Sequence, residues 1–382
     1  MKNKALRFVF LMGLVNLFAD MVYEGGRGEV GALLGSLGAS GFTVGVVAGG
    51  GELIGYAVRS IAGAIADRTG KYWIDIWAGY FINQLCVPAL ALAGSWPAAA
   101  GLVVGERFGR GVRRPATSGL IAEAGRQLGR RGWAFGMNEA MDQTGATIGP
   151  LLLAIGIAHS GIRLGYAILL VPAICTFIAL AVAQAASGGL TPSVGRSTLL
   201  KDPAMFKRYA IGGALVAAGY VDFALIAFRF ARDNVVSIPA ISIWFAVAMG
   251  VAAIASYFLG TWLDKYGSIV VVISLIVTAA ASPLAFLGIG AYAQAGVVLW
   301  GLGTAVQDAL LVALVARVIG EKRATAFGIY DTVFGIAWFA GSALMGFLID
   351  RSIVALVSFS VIAQLAAIPF FMGVRAQEPS LH

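Results

Sequence analysis

The chain has 382 residues, 59% of them hydrophobic and 12% charged. A soluble domain is roughly 45–50% apolar and about 25% charged. No water-soluble fold of this size could hide so much apolar surface, so the composition points to an all-α polytopic membrane protein and excludes disorder, collagen and a disulfide scaffold. Cys86 and Cys175 lie in apolar runs, and His159 and His382 cannot build a zinc site, so neither a metal nor a cofactor is expected.

Crossing about 30 Å of hydrocarbon takes roughly 20 helical residues. In chain order, runs of that kind fall at 7–36, 41–66, 73–95, 97–122, 132–158, 163–186, 207–232, 239–263, 268–290, 292–319, 324–349 and 353–374. The first run lacks a small-residue cleavage site and reads as a retained span. Its segment Glu24-Gly25-Gly26-Arg27-Gly28-Glu29 is a weak helix former that invites unwinding. The longest polar segment lies near mid-chain. The expected domains are therefore an N-terminal six-helix bundle (1–186), a cytoplasmic linker (187–206) and a C-terminal six-helix bundle (207–382), arranged around a central cavity.

Basic residues set the orientation. With the N-terminus inside, the outer segments keep only Arg163, Arg232 and Arg351, and Arg27, Arg59, Arg107 and Arg229 lie within spans. All other Lys and Arg, including Arg110, Arg113 and Arg114, are read as inner-face charges. The expectation is a cell (inner) membrane protein with both termini cytoplasmic. The net charge of +8 then reflects insertion and anionic lipid of the bilayer, not nucleic acid.

The halves echo each other. Gly63-Ala64-Ile65-Ala66-Asp67-Arg68-Thr69-Gly70 after span two matches Gly260-Thr261-Trp262-Leu263-Asp264-Lys265-Tyr266-Gly267 after span eight. Ala134-Phe135-Gly136 matches Ala326-Phe327-Gly328, which sets Glu139 opposite Asp331. Duplicated bundles around a central site are a layout of secondary transporters.

Ten acids fall within spans: Asp20, Glu24, Glu29, Glu52, Glu106, Glu139, Asp142, Asp222, Asp308 and Asp331. Four intramembrane arginines, Arg27, Arg59, Arg107 and Arg229, oppose them. A carboxylate in low dielectric binds protons more readily than in water, and so it can load a proton on one side and release it on the other. Asp20, Glu52 and Asp142 fall near mid-span, Asp222 somewhat outward, and Asp308 and Asp331 toward the inner side as a possible gate pair. Asp20, Glu24 and Arg27 share a face, as do Glu52 with Arg59, Glu139 with Asp142, and Asp222 with Arg229. Glu106 sits about 100° around the helix from Arg107, which argues against a direct pair. Tyr23, Tyr56, Tyr220, Trp244, Trp300, Tyr330 and Trp338 offer an aromatic lining suited to an organic cation.

Several of these motifs resemble the major facilitator superfamily over the whole chain. Gly63-x-x-x-Asp67-Arg68-x-Gly70-Lys71 is similar to that family's loop signature between spans two and three. The resemblance implies a cytoplasmic latch, which the degraded copy with Asp264 and Lys265 repeats; Asp308 joins these gate residues by its depth alone. Arg107-x-x-Arg110-Gly111 resembles a signature in which the arginine faces the central cavity. Gly145-x-x-x-Gly149-Pro150 resembles the antiporter signature and implies a helix bend there, although Leu153-Ala154 replaces its usual closing glycine pair. The resemblance also implies a monomer. The wording of two stretches, Gly109–Gly125 with Gly132–Leu152 and Ala305–Ala316 with Arg323–Asp350, resembles one prokaryotic branch of the superfamily, whose members often carry an acid near the position of Ser118, where this chain has none.

Two functional readings follow. The first is a secondary active transporter for a small-molecule substrate, working by alternating access as a proton-coupled efflux antiporter. The second is a proton-linked uptake symporter of a metabolite, with Arg27, Arg59 and Arg107 as anion ligands. His-Glu-x-x-His, Gly-x-Ser-x-Gly and nucleotide-loop signatures are absent from the sequence, which argues against an intramembrane enzyme and leaves ion or solute gradients to drive transport.

Overall fold

The computed structural model describes residues 2–190, 202–318 and 323–372; most of the expected linker lies outside them, as do the side chains of Asp67 and of 323–327. The described regular structure is helical. In order it comprises α1 (Lys2–Arg27), α2 (Val30–Ser36), α3 (Gly41–Thr69), α4 (Tyr72–Ala89), α5 (Trp96–Leu128), α6 (Arg131–Ser160), α7 (Ile162–Ile168), α8 (Leu170–Ala186) and α9 (Pro203–Gly219). There follow α10 (Phe223–Arg232), α11 (Ile238–Tyr266), α12 (Ser268–Ala279), α13 (Ala281–Leu287), α14 (Ala291–Ala305), a π-helical segment (Val306–Leu311), α15 (Val312–Val318), α16 (Arg323–Ile349), α17 (Ile353–Ala366) and α18 (Ile368–Phe371).

Among the described residues, each expected apolar run falls mostly on helix, with breaks at Gly28–Glu29 and at Tyr220–Asp222. Among the described residues, nine helical stretches are long and apolar enough to cross a membrane. The runs at 73–95, 97–122 and 132–158 lie on α4, α5 and α6, outside those nine. They carry Asn83, Gln84, Glu106, Arg107, Arg113 and Asn138, all buried, and these polar groups lower their hydropathy. Large apolar side chains elsewhere point outward, among them Phe81, Ile178, Ile254, Ile273, Val354 and Ile362. Such a rim suits lipid, in which helices satisfy their own backbone.

The chain divides into two compact units. The first comprises Met1–Gly38, Ile54–Gly195 and Ser237–Ala246, the second Ala39–Leu53, Arg196–Val236 and Val247–His382. In the first, α1 packs along α6 and α8, and α4 along α5. Small residues make the first contact close: a Cβ at Gly145 would strike the Leu17 carbonyl oxygen and one at Gly149 that of Met21. Helix α6 continues through Pro150. The turn into α6 is set by Gly129, at φ +69°, where Gly129 N–H bonds Arg126 O and Arg130 N–H bonds Gly125 O at 2.9 Å. These two bonds satisfy carbonyls that the end of α5 would otherwise leave open. Phe8, Met12, Val15, Ile76, Tyr80 and Leu120 form the core beside them.

In the second unit, α9 packs on α16 and α17, and a Cβ at Gly341 of α16 would strike the Ala218 carbonyl. Helix α6 thus meets α1, and α16 meets α9, through the same small-residue device. Gly70 and Gly267 close the two echoed loops with φ of +67° and +63°, a conformation that glycine adopts without a Cβ penalty.

Gly149→Ala is expected to lower the apparent Tm of the purified protein, because overpacking of this kind costs about 1–3 kcal/mol. Gly136→Ala, where a Cβ would meet nothing within 4 Å, is expected to leave Tm unchanged. Equal Tm values for the two variants would contradict the packing role.

Candidate functional site

The first unit holds a cavity of about 190 Å³. Helix α1 contributes Asn16 and Asp20; α5 contributes Arg110, Arg113, Arg114, Thr117, Ser118 and Ile121; α6 contributes Phe135, Asn138, Glu139 and Asp142. The spacings of three and four residues put each set on one helical face. Helices α4 and α5 approach closely because Gly79 and Gly109 carry no side chain: a Cβ at Gly79 would lie 2.7 Å from both the Arg113 backbone nitrogen and the Gly109 carbonyl.

Arg113 is buried at the wall of this cavity. Its Nη2 stands 4.0 Å from Asp20 Oδ1, and its Nη1 donates to Tyr80 Oη at 3.1 Å. Tyr80 Oη in turn donates to Asn16 Oδ1 at 2.9 Å. Asn16 Nδ2 donates to Asn138 Oδ1 at 3.1 Å, and Asn138 Nδ2 donates to the Ala134 carbonyl at 2.9 Å. One chain of hydrogen bonds therefore runs from α5 through α4 and α1 to α6. A second network flanks it, in which Gln84 Nε2 donates to Asn83 Oδ1 at 2.7 Å and Asn83 Nδ2 donates to Glu106 Oε1 at 2.8 Å. Buried polar groups are retained where networks satisfy them.

The lining carries three guanidinium groups and three carboxylates. Asp20 interacts electrostatically with Arg110, Arg113, Arg114 and Glu24. Asp142 interacts with Asp20, Glu139, Arg113 and Arg114. Its Oδ1 has no hydrogen-bond partner among the described residues. Glu139 is exposed to the cavity and accepts from Gln143 Nε2 at 3.0 Å.

Of the residues singled out in the sequence, Asp20, Glu139 and Asp142 come together here. Glu24 is buried beside Arg27, 3.5 Å away. The unwinding expected around Glu24 is confined to Gly28–Glu29, between α1 and α2. Glu29 is fully buried and accepts from Ser242 Oγ at 2.6 Å. Glu52 is half-buried; Arg59, also half-buried, lies over the Tyr56 ring at 5.0 Å.

The separation inferred for Arg107 and Glu106 is corrected: Arg107 Nη1 is 3.3 Å from Glu106 Oε2. A long flexible arginine stem spans the angular gap between neighbouring residues that a helical wheel draws. The shared face expected for Asp222 and Arg229 is also corrected, because the helix breaks between Gly219 and Phe223. Asp222 caps α10, accepting from Ala224 N at 3.1 Å and from Trp338 Nε1 at 3.1 Å, while Arg229 pairs with Asp233.

In the echoed loops, a Cβ at Gly63 would lie 3.4 Å from Pro115, and Arg68 and Lys71 are exposed. The Asp67 side chain lies outside the described residues. Asp264 pairs with Arg317 at 2.5 Å, and Lys265 lies over the Tyr266 ring at 4.9 Å. Asp308 is exposed on the π-helical segment, and Asp331 is half-buried in α16.

The sequence reading passed over Asn16, Tyr80 and Asn138, and it assigned Arg110, Arg113 and Arg114 to the inner face without placing them at a site. Asn16–Asp20 and Asn138–Asp142, each at i and i+4, were the available signal. The aromatic lining expected for a cation is largely core: Tyr220, Trp300, Tyr330 and Trp338 are buried. Tyr23 is covered by the protein's own cations, Arg110 at 3.7 Å and Arg107 at 4.6 Å from its ring centroid.

No family profile matches the chain. It is similar to an uncharacterized protein of Mycobacterium tuberculosis, 33% identical over 383 residues covering 97% of this chain and 93% of that one. It is also similar to an uncharacterized MFS-type transporter of Methanocaldococcus jannaschii, 26% identical over 89% of this chain and 88% of that one. Among solved structures, a bacterial homologue of the human lysosomal transporter Spinster superposes with TM-score 0.68 at 16% identity, covering 97% and 95% of the two chains. The nucleoside transporter NupG superposes with TM-score 0.73 at 13% identity, covering 96% and 99%.

Arg113→Leu is expected to destabilise the protein by roughly 3 kcal/mol, because it removes a buried base 4.0 Å from Asp20 together with the donor to Tyr80 Oη. Arg113→Leu combined with Asp20→Asn is expected to recover part of that loss. Apparent Tm values of the two single variants and the double variant measure the coupling; strict additivity would contradict a pair.

Proposed function

We propose that the chain is a secondary active transporter of the major facilitator type, which couples movement of a small organic solute to protons by alternating access; the likeness to an MFS-type transporter and the superposition on transporter structures support this reading. One observation carries this reading: Asp20 of α1 and Asp142 of α6 face one polar cavity, opposed by arginines of α5. Neighbouring carboxylates that compete for nearby cations can exchange a proton as the solute enters and leaves. The sequence carries no nucleotide loop, so a gradient supplies the work. The skew of basic residues supports an inner membrane location with both termini cytoplasmic. The domain boundaries read from the sequence and a monomeric state belong to the same proposal.

Two directions use this machinery. Gly145-x-x-x-Gly149-Pro150 favours efflux antiport, although close packing of α6 on α1 accounts for both glycines. Arg110, Arg113 and Arg114 at the cavity wall favour proton-linked uptake, since a solute that occupies guanidinium groups frees carboxylates to bind protons. The second direction has the more specific observation behind it.

The test is proton flux in liposomes that hold the purified protein and a pH-sensitive dye, challenged with pools of small organic solutes. Solute-dependent flux is expected in the wild type and a loss of at least about tenfold, per folded protein reconstituted, in Asp20→Asn and in Asp142→Asn, with unchanged Tm in the latter. Wild-type flux in both variants would remove them from coupling. Asp67→Ala is expected to lower the maximal rate at unchanged apparent affinity, as a latch biases conformations without touching solute. Lost affinity at full rate would contradict a latch.

A further inference from the structure

The cavity also discriminates by charge. With every group ionised, Arg110, Arg113 and Arg114 balance Asp20, Glu139 and Asp142. Asp20 is faced by Glu24 on its own helix, by the three arginines of α5, by Tyr80 of α4 and by Asp142 of α6. Asp142 is faced by Glu139 on its own helix and by Asp20, Arg113 and Arg114 from its neighbours. Adding a proton to the Asp20–Asp142 pair leaves the lining with one excess positive charge.

A cation finds little here. The Tyr23 and Tyr56 rings already carry Arg110, Arg107 and Arg59, and a guanidinium trio repels it. A compact anion finds planar two-pronged donors, the geometry that guanidinium offers to carboxylate and phosphate oxygens. Size sets a limit as well. An engineered apolar cavity of roughly 150 Å³ takes up benzene, so about 190 Å³ suits a ligand near the size of a substituted benzene.

We propose that the cavity between α1, α5 and α6 binds a compact organic oxyanion, a carboxylate or a phosphate monoester, and that one proton enters with each negative charge bound. This inference rests on the transport reading above and names its substrate class. The proton restores the balance that the anion disturbs, so binding tightens as pH falls. For a monoanion, linkage gives about tenfold per pH unit. Arg110 and Arg114 contact the oxyanion, and Arg113 is released from Asp20 to join them.

The test is isothermal titration calorimetry on the purified full chain in detergent, near neutral pH, in two buffers of different ionisation enthalpy. The probes are benzoate, phenyl phosphate, benzamide and benzylammonium. At least one of the two anions is expected to bind about tenfold or more tighter than the neutral and cationic probes. Proton uptake is expected to be about one per benzoate, and up to two for phenyl phosphate if it binds as the dianion; which anion binds identifies the head group. Arg114→Gln, at an exposed side chain of the cavity wall, is expected to weaken the anion about tenfold at unchanged Tm, as is Arg110→Gln.

Equal or tighter binding of benzylammonium or benzamide would overturn the proposal. So would proton release, no binding of either anion at millimolar concentration, or wild-type affinity in both arginine variants. The two readings fail separately. Anion binding with proton uptake but no proton-linked flux in liposomes would sink transport coupling and leave the anion site standing. Flux driven only by cations would do the reverse.

Discussion

A guanidinium buried inside a protein is tolerated only where acids, hydroxyls or water surround it. Arg113 imposes that constraint on the first unit. Its place on α5 is reached only because Gly79 and Gly109 let α4 and α5 touch, which brings Tyr80 within hydrogen-bond reach. Tyr80 then orders Asn16, and Asn16 orders Asn138, so four helices are held in register by groups that could not stand alone in oil. Asp20 completes the charge at 4.0 Å, a loose contact that leaves its carboxylate available to other partners. A tight bidentate pair would have made a better strut and a poorer exchange site.

The fold was largely legible because hydrocarbon thickness and helical rise fix the length of each span, and lipid forbids unpaired backbone. Even the internal echo was visible, since Gly70 and Gly267 are both needed at positive φ. The site was less legible, and the reason lies in α5. This helix runs 33 residues to Leu128, longer than a span requires, so Arg110, Arg113 and Arg114 looked like charges at an inner face. A basic run is ambiguous by itself; burial and the helix packed against it decide its role. Arg107 and Glu106 were misjudged because a helical wheel places Cβ atoms, whereas an arginine head lies several bonds beyond its own. Asp222 was misjudged because the break at Tyr220–Asp222 turns a face argument into a capping one.

The two units share packing devices and differ in chemistry. In the second, Tyr220 stacks on Trp300 and meets Trp338 edge-on, and their polar tips are tied to Thr304, to the Val221 carbonyl and to Asp222. Those bonds pin the break between α9 and α10. In the first, the equivalent investment is in charge and amide groups around an open volume.

The account depends on carboxylates in that cavity changing protonation while arginines stay charged. Infrared difference spectra of the purified protein across a pH jump through neutrality read this directly, in the C=O stretch of protonated carboxyl groups. The account predicts a band that appears on acidification, is reduced in both Asp20→Asn and Asp142→Asn, and shifts when Arg113 is replaced. A spectrum with no such band, or with one that neither aspartate substitution alters, would contradict it.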